Sequence, residues 1–190
     1  GVIKVTAKKQ LEKFARSYSE HLTGARERVP ARAGDAYKPK AGYMTAADDR
    51  ERKEMAAKPY RQMIGSAAYP GRLCHPSVAY ILSEVSQYVQ DPSRRAWRMM
   101  QVAGDFLSTQ KDEGLYFREP KPGYRQLVTI TDANHARCRD TRKSVDAGAT
   151  FLWGNLIDYG AKKQGNAALS SFEAELGGAA RGGVVGYRLA

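Results

Sequence analysis

The feature that most constrains this chain is a change of hydrophobic rhythm at Gly114. Before it, apolar residues recur at helical spacing; after it, they gather in short runs rich in β-formers. Val78, Ile81, Leu82, Val85 and Val89 form the clearest stripe, at i, i+3, i+4, i+7 and i+11. Asp91-Pro92 then reads as an N-cap followed by proline at the first helical position. The next helix carries Trp97, Met100, Ala103, Gly104 and Leu107 along one side. So short a turn between two helices predicts antiparallel packing. The aromatic and methionine positions read as core, not as a cofactor pocket.

Nearer the amino terminus, Val2–Val5 is a short strand candidate, and Leu11, Phe14, Ala15 and Tyr18 recur at helical spacing. Residues 29–50, with Pro30, Gly34, Pro39 and Gly42, have the composition of an extended, weakly ordered linker. A second short helix is expected from near Thr45 through Asp48–Lys58. Beyond Gly114 the strand candidates are Leu115–Phe117, Gln126–Thr131 (ending at Asp132), Ala147–Trp153 and Leu156–Tyr159. The last two flank Gly154-Asn155, a two-residue hairpin signal. Ala167–Ala180 reads as a helix weakened by Gly177 and Gly178, since each glycine costs about 1 kcal/mol against alanine.

Lys and Arg outnumber Asp and Glu by 31 to 20, a net charge of +11. Charge of this size attracts polyanions, nucleic acid foremost, although a solvated surface or an acidic protein partner fits the same number. The excess is +6 over residues 1–60, +1 over 61–120 and +4 over 121–190, so the two ends are the candidates for anion binding. Cys74 and Cys138 are too few for a disulfide framework and fit a reducing, intracellular compartment, with a single bridge left open. His135 and Cys138 have a ligand-like spacing, but no second pair stands nearby to close a zinc site. No apolar run approaches the roughly 20 residues that span a bilayer, and no secretory signal pattern is present. An opening residue of Gly1, not methionine, is what a processed product or an internal fragment would have.

Asp132 stands at the end of a strand candidate and Glu175 lies 43 residues on, in the first turns of the last helix. A strand-end carboxylate and a helical one can converge on Mg²⁺, which takes hard oxygen ligands. A pair of such ions is the usual device for phosphodiester cleavage. Taken by themselves, two acids at this separation read as solvated surface residues ahead of a metal site.

The surrounding wording is more specific. Pro59-Tyr60-Arg61-Gln62-Met63-Ile64-Gly65-Ser66 resembles the "PYR..IGSLLY" block of copia-type retrotransposon polymerases, and His75-Pro76-Ser77-Val78-Ala79-Tyr80 their "RPDIAYA" block. Asp91-Pro92 with Trp97 is similar to "NP…HW", and Glu113-Gly114-Leu115-Tyr116-Phe117 to "GLYY". Thr131-Asp132-Ala133 resembles "SDADW", Asp140-Thr141-Arg142-Lys143-Ser144 "DDRKST", Lys162-Lys163-Gln164 "SKKQ", and Ser170-Ser171-Phe172-Glu173-Ala174-Glu175 "SSTEAEY". Eight blocks in the family's order across residues 59–176 make a strong signal where any one is weak.

The resemblance implies an α+β chain: a helical connecting region, then a partial RNase H-like sheet of three strands and one helix. It divides the sequence into a thumb-like remnant and linker (1–58), a helical connection (59–113) and the first half of an RNase H-like domain (114–190). It places Asp132 and Glu175 at the first two metal-binding acids, with Glu173 the alternative, and Mg²⁺ as cofactor if the site is active. The family's substrate is the RNA strand of an RNA–DNA hybrid, recognised through shape, phosphates and 2′-hydroxyls. The departures are large. No carboxylate follows Glu175, and "DADW" has become Asp132-Ala133-Asn134-His135. An inactive remnant is therefore expected, a structural subunit of a larger assembly binding RNA or other protein chains. The alternatives are an active hybrid ribonuclease and a protein-only scaffold. Phosphate contacts are expected at Arg137, Arg139, Arg142 and Lys143 in a hairpin loop and at Lys162 and Lys163 beyond the next strand. Tyr159 and Tyr124 are candidates for stacking on bases, though core and interface roles fit them too.

Overall fold

A computed structural model describes residues 1–31, 43–123, 126–138 and 141–189. The chain is α+β and divides into two compact units, Thr6–Gly114 and Gly1–Val5 with Leu115–Ala190. Among the described residues no helix is long and apolar enough to cross a membrane.

The first unit is helical: α1 (Lys8–Ser17), α2 (Asp49–Ala56), α3 (Tyr60–Leu73), a 3₁₀ turn (Pro76–Val78), α4 (Ala79–Ser86) and α5 (Arg94–Thr109). The stripe expected around residues 78–89 does enter the core, where Val78, Ile81, Leu82 and Val85 meet Leu11, Phe14, Met63, Trp97, Met100 and Leu107. Residues 1–58 supply α1 and α2 of this unit, and residues 59–113 supply α3 to α5. Gly71 lets α3 close on its neighbours, because a Cβ there would stand 2.6 Å from Leu82 Cδ1 and 3.0 Å from Val78 Cγ2.

Two local expectations change. The N-cap of α5 is Ser93, whose hydroxyl accepts from Ala96 N at 3.2 Å, and not Asp91. Asp91 instead pairs with Arg52 at 3.0 Å. The second change is at the end of the supposed linker, where Met44 is buried, its carbonyl accepts from Ser93 N at 3.0 Å, and Thr45 forms a bridge with Pro92. Residues 32–42 of that linker lie outside the described residues. The signal missed here is the capping box Asp48-x-x-Glu51. Asp48 accepts from Glu51 N at 2.7 Å, while the Glu51 carboxylate accepts from Ala47 N at 2.8 Å and Arg94 N at 2.7 Å. One buried acid thus serves the positive ends of two helices.

Burial also lowers the pKa of His75, partly opposed by Glu113, and among the described residues its Nε2 has no hydrogen-bond partner. Beside it, burial pushes the Cys74 thiol up.

The second unit holds a two-stranded sheet, β1 (Val2–Thr6) with β2 (Gly114–Arg118), and an antiparallel sheet ordered β3 (Leu127–Asn134), β4 (Val145–Leu152), β5 (Asn155–Lys163). The Asn155 amide links the two, accepting from Arg118 N at 2.7 Å and donating to Arg118 O at 2.9 Å. The β4–β5 turn is Trp153-Gly154, not Gly154-Asn155. Leu152 pairs with Asn155, and both turn residues have positive φ, 52° and 79°, as a type I′ turn needs.

Helix α6 (Ser171–Leu189) continues well past Ala180 despite its glycines. It lies on β3 and β4. A Cβ on Gly182 would come within 2.7 Å of Thr131 Cγ2 and 3.0 Å of Thr129 Cγ2. Packing that a side chain would block thus offsets the weak helical propensity.

Candidate functional site

Where α6 meets the sheet decides what the expected acids can do. Thr129, Thr131 and Ala133 face the helix, since positions for a Cβ on Gly182 and Gly178 fall against them. Strand side chains alternate between faces, so Asp132 projects from the other face, beside Ile130 and Asn134, and is exposed. β3 also runs two residues past Asp132, which places it inside the strand. Glu175 is exposed on the flank of α6. The two carboxylates therefore lie on opposite sides of the sheet and do not converge. Glu173 is engaged locally: its carboxylate accepts from Leu169 N at 2.7 Å, and its own N–H donates to Ser170 Oγ at 3.1 Å.

The acid that does lie between helix and sheet is Asp146, on β4 opposite Ala133. Its side chain is 6% exposed and pairs with Arg181 at 2.7 Å, which neutralises it within the unit. Among the described residues no group of three His, Cys, Asp or Glu side chains could hold a metal ion. These residues do not fit the pair of Mg²⁺ ions that hybrid cleavage requires.

The basic residues are better assembled. The sheet register sets Asn134, Val145 and Lys163 side by side, so the β3–β4 loop and the end of β5 share one end of the sheet. The loop carries Arg137, Arg142 and Lys143; Arg139 lies outside the described residues, as does Tyr124. Lys143 Nζ donates to the Gly165 carbonyl, Lys163 Nζ stands 3.9 Å from Cys138 Sγ, and Arg142 is exposed at a positive φ of 55°. Lys162, Lys163, Asn166, Glu173, Leu176 and Arg181 line a cleft of about 500 Å³ between this end of the sheet and α6. His135 is not poised as a ligand with Cys138; its Nε2 stands 3.0 Å from the Ala168 carbonyl.

A second basic surface escaped the reading of the sequence. Helix α3 buries Tyr60, Met63, Ile64, Ala67, Pro70 and Gly71. Its opposite face carries Arg61, Gly65, Tyr69 and Arg72, all exposed and spaced i, i+4, i+8, i+11. At 1.5 Å per residue the two arginines are ~16 Å apart along the axis, and neither has a carboxylate partner among the described residues. Tyr69 is 57% exposed between them. A Cβ on Gly65 would meet nothing within 4 Å. Gly71 has a packing reason inside the unit; Gly65 has none. The sequence signal was a glycine at the centre of a helix whose buried face was already supplied.

Over 125 residues the chain is 30% identical to the retrovirus-related Pol polyprotein from transposon TNT 1-94 of Nicotiana tabacum, a match covering 66% of this chain and 9% of the polyprotein. Over 117 residues it is 29% identical to the secreted RxLR effector protein 161 of Plasmopara viticola, covering 62% of this chain and 81% of that protein. An uncharacterised mitochondrial protein of Arabidopsis thaliana is 27% identical over 116 residues, 61% of this chain and 47% of the relative. No protein-family model matches the chain, and no solved structure matches it significantly. By its sequence the chain is a homologue of one stretch of copia-type retrotransposon polyproteins, as its motifs indicate, and it spans only a small part of their length.

Proposed function

We propose that this chain is a non-hydrolytic, transposon-derived module that binds RNA or RNA–DNA hybrid through its helical unit. The observation that carries this is the exposed face of α3. Arg61 and Arg72 offer two cations with no carboxylate partner among the described residues, Tyr69 offers a flat ring between them, and Gly65 leaves the helix backbone bare at the centre. Two cations ~16 Å apart suit phosphates several nucleotides apart, not adjacent ones, and an aromatic ring tolerates any base or sugar. A helical glycine without an internal packing role allows a ligand to approach the backbone closely. The face offers few groups that read base edges, so recognition runs through charge and shape.

The sheet unit enters this reading as an RNase H-like half-domain that contributes phosphate contacts from Arg137, Arg142 and Lys143. Mg²⁺-dependent cleavage of the hybrid at Asp132 and Glu175 is the competing reading, and the separation of those carboxylates argues against it.

The test is fluorescence anisotropy with a labelled RNA–DNA hybrid, titrated across salt concentrations. The Arg61→Ala/Arg72→Ala protein should bind more weakly and show a salt slope shallower by about two, since each neutralised phosphate contributes roughly 0.9. An unchanged affinity and slope would remove the basis for this function. Incubation of the same hybrid with Mg²⁺, using Asp132→Asn as control, separates binding from hydrolysis; cleavage lost in that variant would favour the competing reading.

A further inference from the structure

We propose that the outward face of α6 and the lysine-lined cleft beside it form a docking groove for an acidic amphipathic helix of a protein partner. This rests on the sheet unit alone and does not depend on the nucleic-acid reading of α3. Ala174, Gly178 and Gly182 turn one side of α6 to the sheet, where all three are buried. The opposite side bears Phe172, Leu176 and Val184, continuing from Leu169 just before the helix. Leu169 is 92% exposed and Phe172 76%. Phe172 and Leu176 stand i, i+4 on α6, a spacing that a second helix packs against. Leu169, Phe172 and Leu176, exposed together at the start of α6, are an apolar patch of the kind that marks an interaction surface.

The charge beside the ridge selects the occupant. Leu176 belongs to the ridge and also lines the cleft, whose far wall carries Lys162 and Lys163. Neither lysine has a carboxylate partner among the described residues. The two acids that line the cleft are already engaged, Asp146 with Arg181 and Glu173 with the Leu169 N–H. What complements an aliphatic ridge flanked by two uncompensated cations is a helix with leucine-like residues on one side and carboxylates on its edge. Nucleic acid fits less well, because Phe172 is the one ring on a ridge that is otherwise aliphatic, and Leu169, Leu176 and Val184 offer no π-face to a base and no donor to a phosphate. A second copy of this chain would bring the same lysines to the same seam, on a body of net charge +11.

The experiment uses the full chain and a labelled, roughly 16-residue helical peptide with leucines on one face and glutamates on the other, followed by anisotropy. Binding is expected, at least about tenfold weaker for Lys162→Glu/Lys163→Glu and for Leu176→Asp, and unchanged for Arg61→Ala. Because residues 162, 163 and 176 border open space, circular dichroism should report folded variants. No binding by the wild type, or equal binding by the Leu176→Asp protein, overturns the proposal. So does displacement of the peptide by an RNA oligonucleotide, which would show a nucleic-acid site. A concentration-dependent dimer lost in the Leu176→Asp variant would assign the ridge to a second copy and overturn it as well.

Discussion

The two compact units handle their apolar residues in opposite ways. In the helical unit the large apolar side chains of α3, α4 and α5 share one buried cluster, and the exposed face of α3 is left to cations, a tyrosine and a glycine. In the sheet unit α6 turns glycine and alanine inward and leaves Phe172 and Leu176 outside. Burial of large side chains is the main source of stability, so the first unit supplies its own core while the second holds its helix largely through close backbone approach. The same contrast appears in the glycines. Gly71 and Gly182 are required by neighbouring atoms, and Gly65 by nothing among the described residues.

The contrast is broken most easily by truncating equivalent leucines. Leu107→Ala, in the helical core, should cost about 2–5 kcal/mol in urea unfolding, while Leu176→Ala on α6 should stay within roughly 0.5 kcal/mol. Similar losses at the two positions would mean that α6 is buried after all. Gly182→Val comes next. Its added carbons meet Thr131 and Thr129 on β3, so undocking of α6 should follow at a cost of about 1–3 kcal/mol, read as faster amide exchange in the sheet unit.

A smaller effect follows from His75. Its folded pKa is depressed from 6.5 by burial, so the unfolded chain takes up the proton first as pH falls. The stability this residue contributes is complete above about pH 6.5 and is lost as pH drops from there toward the lowered folded value. Unfolding followed at neutral and mildly acidic pH should show that loss in the wild type and a flatter dependence in His75→Gln; parallel curves would contradict the buried, unpartnered geometry.

Much of the fold was legible because hydrophobic period is a local property. The stripe from Val78 to Val85 and the β-rich runs after Gly114 needed no tertiary information. Helix ends were less legible, since Asp91 and Ser93 are both good caps and only the Thr45–Pro92 bridge and the Arg52 pair decide between them. The extent of α6 was hidden for a physical reason: glycine propensity argues against a helix until the threonines it packs on are known. The candidate site split in the same way. Lys162 and Lys163 could be picked out as charge, but the face on which Asp132 projects depends on which side of β3 the helix covers. The α3 surface was missed because periodicity reveals the buried face of a helix and is silent about the exposed one.

One substitution tests the account most directly. Gly65→Ala adds a methyl group to open space on α3, so by propensity it should stabilise the protein by about 1 kcal/mol. If the bare backbone at residue 65 is where the hybrid lies, the same change should weaken binding. A more stable protein with lower hybrid affinity is the predicted result; a more stable protein that binds as well as wild type would contradict the assignment of this face to nucleic acid.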